Sequence, residues 1–386
     1  MRFLSEWANA FKFSRLDPSL RSIVFYSEGR AFWQYFAPVI EHLTGPLGRR
    51  IAYLTSDAED PVLRTKNANI LPFSIGDGPA RTFAFMGLQA DVCVMTMPDL
   101  ETFHVKRSRS HPVHYAYIFH SMASTHMVYR REAYDHFDTI LCVGPHHKEE
   151  IRRQEKLYNL KAKSLAEHGY AILDSMLAEN ARRGRKPAGP RKNVLIGPSW
   201  DPRGLLNTCG ERLVELLLKS SYQVVLRPHP ISFKKSKAVI DAITRRFGQD
   251  PLFRLETSTT TQDSLYDSDI MIADWSGLSM EYAFGLERPQ VFIDVPRKVN
   301  NPSYQDLGLE PVEAAFREDV GAVVTPGELE KVPAAIERLC ADPARFKDRI
   351  AALREKYVYN PGASGPAGAK IIAELADRAR QQVAHV

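Results

Sequence analysis

Three polar turns in the sequence each follow a short apolar run, and each carries side chains that could act on an anionic substrate. The turn 274–277 (Asp-Trp-Ser-Gly) follows the run 270–273 and precedes a predicted helix. The first N–H groups of a helix have no partner within it and lie at the positive end of its dipole, so such a turn attracts phosphate. Asp274, Ser276, Gly277 and Ser279 form this predicted phosphate site.

The other two turns carry histidines. Arg227 and His229 lie in an Arg-Pro-His-Pro segment, where prolines stiffen the turn and an arginine fork with a histidine donor suits a diphosphate. His120 follows the run 115–119, and a histidine at a strand end is placed for proton transfer near neutral pH. Structural alternatives are a histidine that only binds loop backbone, for His120, and a plain proline-rich strand exit, for residues 227–230.

Weaker candidates lie near the phosphate turn. Thr260 belongs to a hydroxyl-rich run that could contact a nucleotide or cap a short helix. Glu281 could accept hydrogen bonds from a ribose or be an ordinary surface residue. Asp267 and Asp269 have the spacing of a metal motif, but they precede a strand, where closing a turn is the simpler role. We therefore expect no metal site and no cofactor.

The elements that must position these turns alternate between apolar runs and helical stretches, which is typical of parallel α/β architecture. Ligands of open α/β sheets bind beyond the carboxyl ends of the strands, where all three turns fall. The predicted strands are 22–27, 51–55, 91–96, 114–119, 139–143, 193–197, 223–227, 253–256, 270–273, 290–294 and 322–324. The main predicted helices are 31–43, 205–219, 232–247, 262–266, 279–285 and, last, about 367–383.

The length of 386 residues favours two domains. A Pro/Gly/basic stretch at 181–192 is the predicted linker between an N-terminal domain, 1–180, and a C-terminal domain, 193–360, followed by a terminal segment, 361–386. Two such α/β halves imply a cleft into which the three turns would converge.

Charge, cysteine content and the lengths of the apolar runs limit the classes of binding partner and the location of the protein. The net charge of +5 suits anionic substrates or an anionic membrane surface, and it is equally compatible with an ordinary solvated basic surface. Nothing beyond this mild charge favours nucleic acid. The four cysteines are scattered without a CxxC motif, which indicates reduced thiols and a cytoplasmic protein. No apolar run approaches the ~20 residues that span a bilayer, and no signal peptide is expected at the N-terminus.

The first sixteen residues have the pattern of a short interfacial helix. Leu4, Trp7, Ala8 and Phe11 recur at helical spacing among basic residues. The alternative is that this apolar stripe packs on the protein's own core. A basic stretch at 151–163 could supply a second membrane contact, so we expect weak, reversible binding to the inner face of the cytoplasmic membrane.

Residues 265–293 resemble the signature of the CDP-glycerol glycerophosphotransferases, the teichoic-acid and capsule polymer transferases. The family pattern has an aspartate, an aliphatic run, Asp-Tyr-Ser-Ser, a helix and Lys-Pro before the next strand; here Trp275 replaces the tyrosine and Gly277 the second serine. Residues 227–229 match the family's Arg-x-His segment. Residues 119–121 lie where the family has a His-Gly loop, with Ser121 in place of the glycine.

The resemblance implies a GT-B-like fold: two Rossmann-like domains whose parallel sheets face each other across a cleft, with the terminal helix crossing back to the N-terminal domain. It implies transfer of a glycerol-phosphate or similar polyol-phosphate unit from a CDP-activated donor to a hydroxyl of a glycan or lipid-linked acceptor, releasing CMP. His120 would then be the base on the acceptor side. Arg227, His229 and the helix end at 276–279 would bind the donor diphosphate and stabilise the leaving CMP, so His229 is the second predicted catalytic residue.

Two alternatives stay open from the sequence. A sugar-nucleotide glycosyltransferase or epimerase would use the same helix-end site on the same fold. A non-catalytic scaffold of a polymer-export complex could have kept the fold without the activity. Nucleotide binding separates these classes, because donors differ in their base and a scaffold would bind none.

Overall fold

The computed structural model describes residues 2–184, 189–257 and 262–384. Within the predicted linker, residues 185–188 therefore lie outside the described residues. The chain divides into two compact units. The first comprises Met1–His120, Tyr129–Ser175 and Tyr357–Val386, and the second comprises Ser121–Val128 and Met176–Lys356.

Apolar strands build one parallel sheet in each unit. The strands of the first unit are β1 Ile23–Ser27, β2 Ile51–Thr55, β3 Ile70–Ser74, β4 Val92–Met95, β5 His114–Ile118, β6 Thr139–Cys142 and β7 Ser164–Glu167. Among the described residues they pair in the order β3-β2-β1-β4-β5-β6-β7. Because β1, β2 and β4 are buried along their whole length, they form the centre of the first unit's core.

The sheet of the second unit carries two of the three polar turns predicted from the sequence. Its strands are β8 Asn193–Gly197, β9 Gln223–Leu226, β10 Phe253–Leu255, β11 Ile270–Ala273, β12 Gln290–Ile293 and β13 Gly321–Val324. Within the described part of this unit the order is β10-β9-β8-β11-β12-β13, again parallel. The carboxyl ends of β9, β8 and β11 therefore lie next to one another at the same end of the sheet.

Helices follow most strands, as expected for parallel sheets. Their bounds are α1 Arg2–Ser14, α2 Trp33–Thr44, α3 Pro79–Met86, α4 Thr125–Val128, α5 Pro145–Leu157, α6 Ala171–Arg183, α7 Leu205–Lys219, α8 Ser232–Lys235, α9 Lys237–Phe247, α10 Asp263–Asp267, α11 Leu278–Leu286, α12 Val312–Ala315, α13 Arg317–Val320, α14 Val332–Ala341, α15 Pro343–Tyr357 and α16 Ser364–Ala384. Over the described ranges, no helix combines the length and apolarity needed to span a membrane.

The last helix, α16, packs on α2 and the central strands of the first unit. Its start is fixed by Asp174, whose carboxylate accepts hydrogen bonds from the backbone N–H of Gly362 and Gly365 and from the Ser364 hydroxyl. The Arg49–Asp377 ion pair, at 2.6 Å, adds a contact further along the helix.

Two strands are absent from the sequence prediction, and one predicted helix is divided. β3 and β7 were missed because they are the edge strands of their sheet. β3 contains Pro72, which only an edge strand accommodates readily, and β7 is half-exposed and lacks an apolar run. The predicted helix 232–247 is interrupted at Ser236 and forms α8 and α9.

Candidate active site

His120 follows the buried end of β5 in the first unit. Its Nδ1 lies 3.1 Å from the carbonyl oxygen of Thr96. A carbonyl oxygen can only accept, so Nδ1 carries the proton and donates it to Thr96. The other ring nitrogen, Nε2, is then left with its lone pair, which is the form that a general base requires.

The surroundings of His120 keep its ring neutral. The rings of Phe32, Tyr35 and Tyr129 lie 5.6, 6.1 and 6.0 Å from it, centroid to centroid. Burial lowers the pKa of His120 to about 4, against a smaller opposing effect of the Thr96 carbonyl. At neutral pH the imidazole is therefore uncharged and able to accept a proton.

Asp274 begins the strand-to-helix turn of the second unit and is buried. Its carboxylate accepts hydrogen bonds from the Ser199 N–H at 2.7 Å, the Ser199 hydroxyl at 2.9 Å and the Leu205 N–H at 2.9 Å. Burial raises the pKa of Asp274, and these hydrogen bonds oppose that effect. Asp274 thus joins its own turn to residues 198–204, the loop between β8 and α7; direct contact with a donor stays a prediction.

Trp275, which stands in place of the family's tyrosine, is held on two sides. Its indole Nε1–H donates to the Val295 carbonyl at 2.8 Å, and the Arg317 guanidinium stacks 4.2 Å from the ring centroid. Arg317 in turn pairs with Asp294 at 2.9 Å. A cavity of about 600 Å³ borders Trp275 and these partners. The Trp275 ring, which is larger than the tyrosine of the family, therefore fixes the turn through contacts within the second unit.

The start of α11 presents open backbone donors. Gly277 is exposed and Ser276 is half-buried. The Ser279 N–H is bonded to the Ser276 carbonyl, whereas the N–H groups of Gly277 and Leu278 have no acceptor within the described residues. The Ser279 hydroxyl is buried, so it does not add to the exposed donors at this end. Glu281 is half-buried one turn into the helix.

Arg227 and His229 differ in their surroundings. Arg227 is buried and pairs with Glu256 at 3.1 Å and the Ser264 hydroxyl at 3.0 Å, so it holds the sheet edge together. His229 is exposed, and its Nδ1 accepts a hydrogen bond from the Ile231 N–H at 3.1 Å. This bond places the proton on Nε2, which is then a directed donor. Thr260, the remaining predicted donor contact, lies outside the described residues.

His229 also lies in a positive field. Although its ring keeps contact with solvent, the surrounding protein and the Lys298 ammonium lower its pKa. Lys298 and Lys235 both lie over the ring of Trp200. The sequence reasoning missed Trp200 and Lys298, and it predicted that Lys235 lies on a solvated helix face. The signal was available for Trp200, because it follows the buried strand β8 just as the predicted site residues follow theirs.

The segment after His120 belongs to the second unit. The Ser121 hydroxyl lies 3.2 Å from the point where a side chain at Gly277 would begin, so even an alanine would be crowded there. Ser124 is fixed nearby in the chain, since its N–H and hydroxyl both donate to Glu313. The residue that directly follows the predicted base thus lies beside the predicted phosphate-binding helix end.

No group of three or more metal-ligating side chains occurs in the described part of the chain. Metal independence nevertheless stays a prediction, since it is a statement about activity.

Comparisons with known proteins bear on both fold and family. In structure the chain is similar to the wall teichoic acid polymerase TagF, with a TM-score of 0.59 at 14% identity over 97% of this chain and 94% of that one. It is also similar to the Methanocaldococcus jannaschii UDP-GlcNAc 2-epimerase (TM-score 0.55, 13% identity, 92% and 99% covered). A third similar structure is the UDP-forming trehalose-phosphate synthase of Burkholderia vietnamiensis, with a TM-score of 0.54 at 12% identity over 95% of this chain and 99% of that one.

At these identities the likeness establishes the fold, and the predicted GT-B-like α/β class is confirmed. No curated protein sequence matches the chain. Residues 118–298, however, match the family described as CDP-glycerol:poly(glycerophosphate) glycerophosphotransferase. This range includes His120, His229 and the 274–277 turn, and it confirms the resemblance predicted from the sequence.

Proposed function

We propose that the chain transfers a glycerol-phosphate, or similar polyol-phosphate, unit from a CDP-activated donor to a hydroxyl of a glycan or lipid-linked acceptor. The observation that carries this proposal is the start of α11, where the N–H groups of Gly277 and Leu278 are open within the described residues. A helix end of this kind binds phosphate. Its place inside the family segment favours phosphoryl transfer over the glycosyltransferase, epimerase and scaffold alternatives.

In the proposed reaction the acceptor oxygen attacks the phosphorus that carries the glycerol. The new oxygen–phosphorus bond replaces the bond to the oxygen that bridges the two phosphates, and CMP leaves with that oxygen and the bond electrons. The acceptor's proton moves to Nε2 of His120, whose lone pair is left available by the Nδ1–Thr96 hydrogen bond. No covalent enzyme intermediate is needed, because positioning and charge stabilisation suffice.

On the donor side, the α11 helix end and His229 would bind the diphosphate. The Nε2–H of His229 is a suitable donor because Nδ1 is occupied by the Ile231 N–H. Arg227 supports this end indirectly through its pair with Glu256, and Asp274 does so by holding residues 198–204. Direct contacts of Arg227, Asp274, Ser276, Ser279, Thr260 and Glu281 with the donor remain proposals.

The test measures the nucleotide released in the presence of a poly(glycerophosphate) acceptor: CMP from CDP-glycerol or CDP-ribitol, and UDP from UDP-N-acetylglucosamine. We expect turnover with a CDP-polyol, no turnover with the sugar nucleotide, and activity that persists in EDTA. Turnover only with the sugar nucleotide would support the glycosyltransferase or epimerase alternative. Absence of nucleotide binding would support the scaffold. Loss of activity in EDTA that magnesium restores would contradict the predicted metal independence.

We further propose that α1 contacts an anionic membrane surface, where a lipid-linked acceptor would be found. Ala10 and Phe13 of α1 pack on the core, whereas Phe3, Leu4 and Phe11 are 57, 72 and 46% exposed. Trp7 and Phe11 pack with tilted rings against Phe83 of α3, which is itself partly exposed, so the aromatic surface continues beyond the helix. Exposed aromatic and aliphatic groups on a basic helix suit the interface of a bilayer.

Sedimentation with phosphatidylglycerol vesicles tests this surface. Leu4→Glu combined with Phe11→Glu should abolish salt-sensitive binding, since both charges would enter the bilayer interface. Leu47→Glu, at an exposed leucine that follows α2 and lies outside both proposed membrane contacts, is the matched control and should bind as the wild type does. A wild-type protein that stays in the supernatant at low salt would overturn the membrane proposal.

A further inference from the structure

Two lysines of the second unit lie on the ring of one tryptophan. Lys298 Nζ is 4.2 Å and Lys235 Nζ 4.4 Å from the centroid of Trp200. These distances are well within the range of a cation–π contact. Lys235 ends α8, which follows His229, while Lys298 follows β12. Residues far apart in the sequence are thus brought together at the carboxyl end of the sheet.

Neither lysine has a carboxylate partner within 4.0 Å among the described residues, although three carboxylates lie in the neighbourhood. Asp274 is bonded to Ser199 and Leu205, and Glu313 is bonded to Ser124. Asp201 accepts from the Arg203 N–H. The nearby negative charges are therefore occupied by other donors, and the two ammonium groups keep their capacity to bind an anion.

The position of this cluster relates it to the donor end. Trp200 directly follows Ser199, whose N–H and hydroxyl bind Asp274 at the start of the 274–277 turn. β8, which precedes Trp200, pairs with β11, which precedes that turn. On the other side β8 pairs with β9, which leads to His229. The lysines accordingly lie between the two elements that we propose to hold the diphosphate.

We propose that Lys298, supported by Lys235 on the ring of Trp200, binds the diphosphate of the nucleotide donor and neutralises the charge that leaves with CMP. This inference rests on the proposed function, and it adds catalytic residues that neither the sequence reasoning nor the family match identifies. When the bridging oxygen leaves, CMP gains one negative charge. A preorganised ammonium group beside that oxygen lowers the cost of the step.

The ionisation of Lys298 gives the inference a specific signature. Burial lowers its pKa to about 8, with Lys235 acting in the same direction and Asp274, Asp201 and Glu313 opposing. His229 also faces the Lys298 ammonium and is neutral near pH 8. The ammonium is therefore charged at pH 7 and loses its proton as the pH rises through about 8. Affinity for a diphosphate should fall in the same range, provided that Lys298 is the cation involved.

Calorimetric titration with CDP, CMP and cytidine at pH 7.0 and 9.5 tests the inference. At pH 7.0, Lys298→Met should weaken CDP binding by about 10- to 100-fold, the scale of one charge-assisted contact, and should leave cytidine binding unchanged. Lys298→Arg should retain CDP affinity and remove its decline at pH 9.5, because arginine stays charged. Lys234→Met, the exposed neighbour of Lys235 on α8, is the control and should bind as the wild type does.

The outcomes separate this inference from the proposed function. A wild-type protein that does not bind CDP overturns the proposed function. Wild-type binding of CDP with equal affinity in Lys298→Met overturns only the inference. If Lys298→Met fails to fold, the arginine variant decides: an unchanged decline in CDP affinity between pH 7.0 and 9.5 would show that another group is responsible.

Discussion

The ends of β5 and β9 both carry a histidine, but the two histidines hold their protons on opposite nitrogens. At the end of β5, Nδ1 of His120 faces the Thr96 carbonyl, so it must donate. At the end of β9, Nδ1 of His229 faces the Ile231 N–H, so it must accept. The exposed chemistry is therefore reversed: Nε2 is an acceptor in His120 and a donor in His229.

This difference shows that residue type and strand position do not assign a role by themselves. One backbone group beside each ring decides which nitrogen is protonated. The unprotonated Nε2 of His120 suits removal of the proton from the hydroxyl that receives the transferred unit. The Nε2–H of His229 suits a hydrogen bond to a phosphate oxygen of the nucleotide. The same substitution should therefore have unequal effects at the two positions, and this inequality is the basis of the predictions below.

The largest effect is expected at His120. Replacement by glutamine removes the basic nitrogen while keeping a side chain of similar reach, so CMP release should fall by roughly 10²–10⁴-fold. Affinity for CDP, measured by calorimetry, should stay near the wild-type value because the donor contacts are elsewhere. His104→Gln, at an exposed histidine of the first unit, serves as the control. Near-normal turnover of His120→Gln would return His120 to a structural role.

A smaller effect is expected at His229, and here glutamine and alanine should differ. His229→Ala loses the Nε2–H donor, and CDP affinity should fall by about 10- to 100-fold. His229→Gln can present an amide N–H in the same region and should recover most of that loss. Equal defects of the two variants would contradict the donor assignment, whereas equal wild-type affinity would remove His229 from the site.

The smallest expected effect is that of acidic pH on turnover. Burial lowers the pKa of His120 to about 4. Its base form therefore persists well below pH 6.5 and is lost only as the pH approaches about 4. We expect turnover with saturating donor to change little between pH 7 and 5 and to fall by up to about tenfold per pH unit below the pKa. A decline centred near pH 6.5 would indicate a solvent-exposed base and contradict the assignment to His120.

A lowered pKa is not sufficient to identify such a base. His168, after β7, also has its pKa lowered by burial to about 4. It is only 1% exposed, and Gly368 of α16 lies so close that a side chain there would begin 2.6 Å from Nε2 of His168. No substrate can reach that ring. The distinction between His120 and His168 is access, which depends on how α16 packs.

Much of the fold was predictable because buried parallel strands read as continuous apolar runs. β2, β8 and β11 have the predicted bounds, and the predicted helix 205–219 agrees with α7. The edge strands β3 and β7 were not predictable in this way, since an edge tolerates proline and exposed polar residues. The strand-to-helix turn at 274–277 was predicted from its local pattern, whereas its neighbours across the sheet were not.

The sequence by itself determined the α/β class, the family resemblance of residues 118–298, and the turns at which chemistry is expected, because each depends on residues close together in the chain. Only the tertiary structure decided what those residues face. It pairs Arg227 with Glu256, uses Asp274 to bind residues 198–204, and brings Lys298 to Trp200. It also selects the tautomers of His120 and His229, since a ring proton is fixed by whichever backbone group the folded chain places beside it.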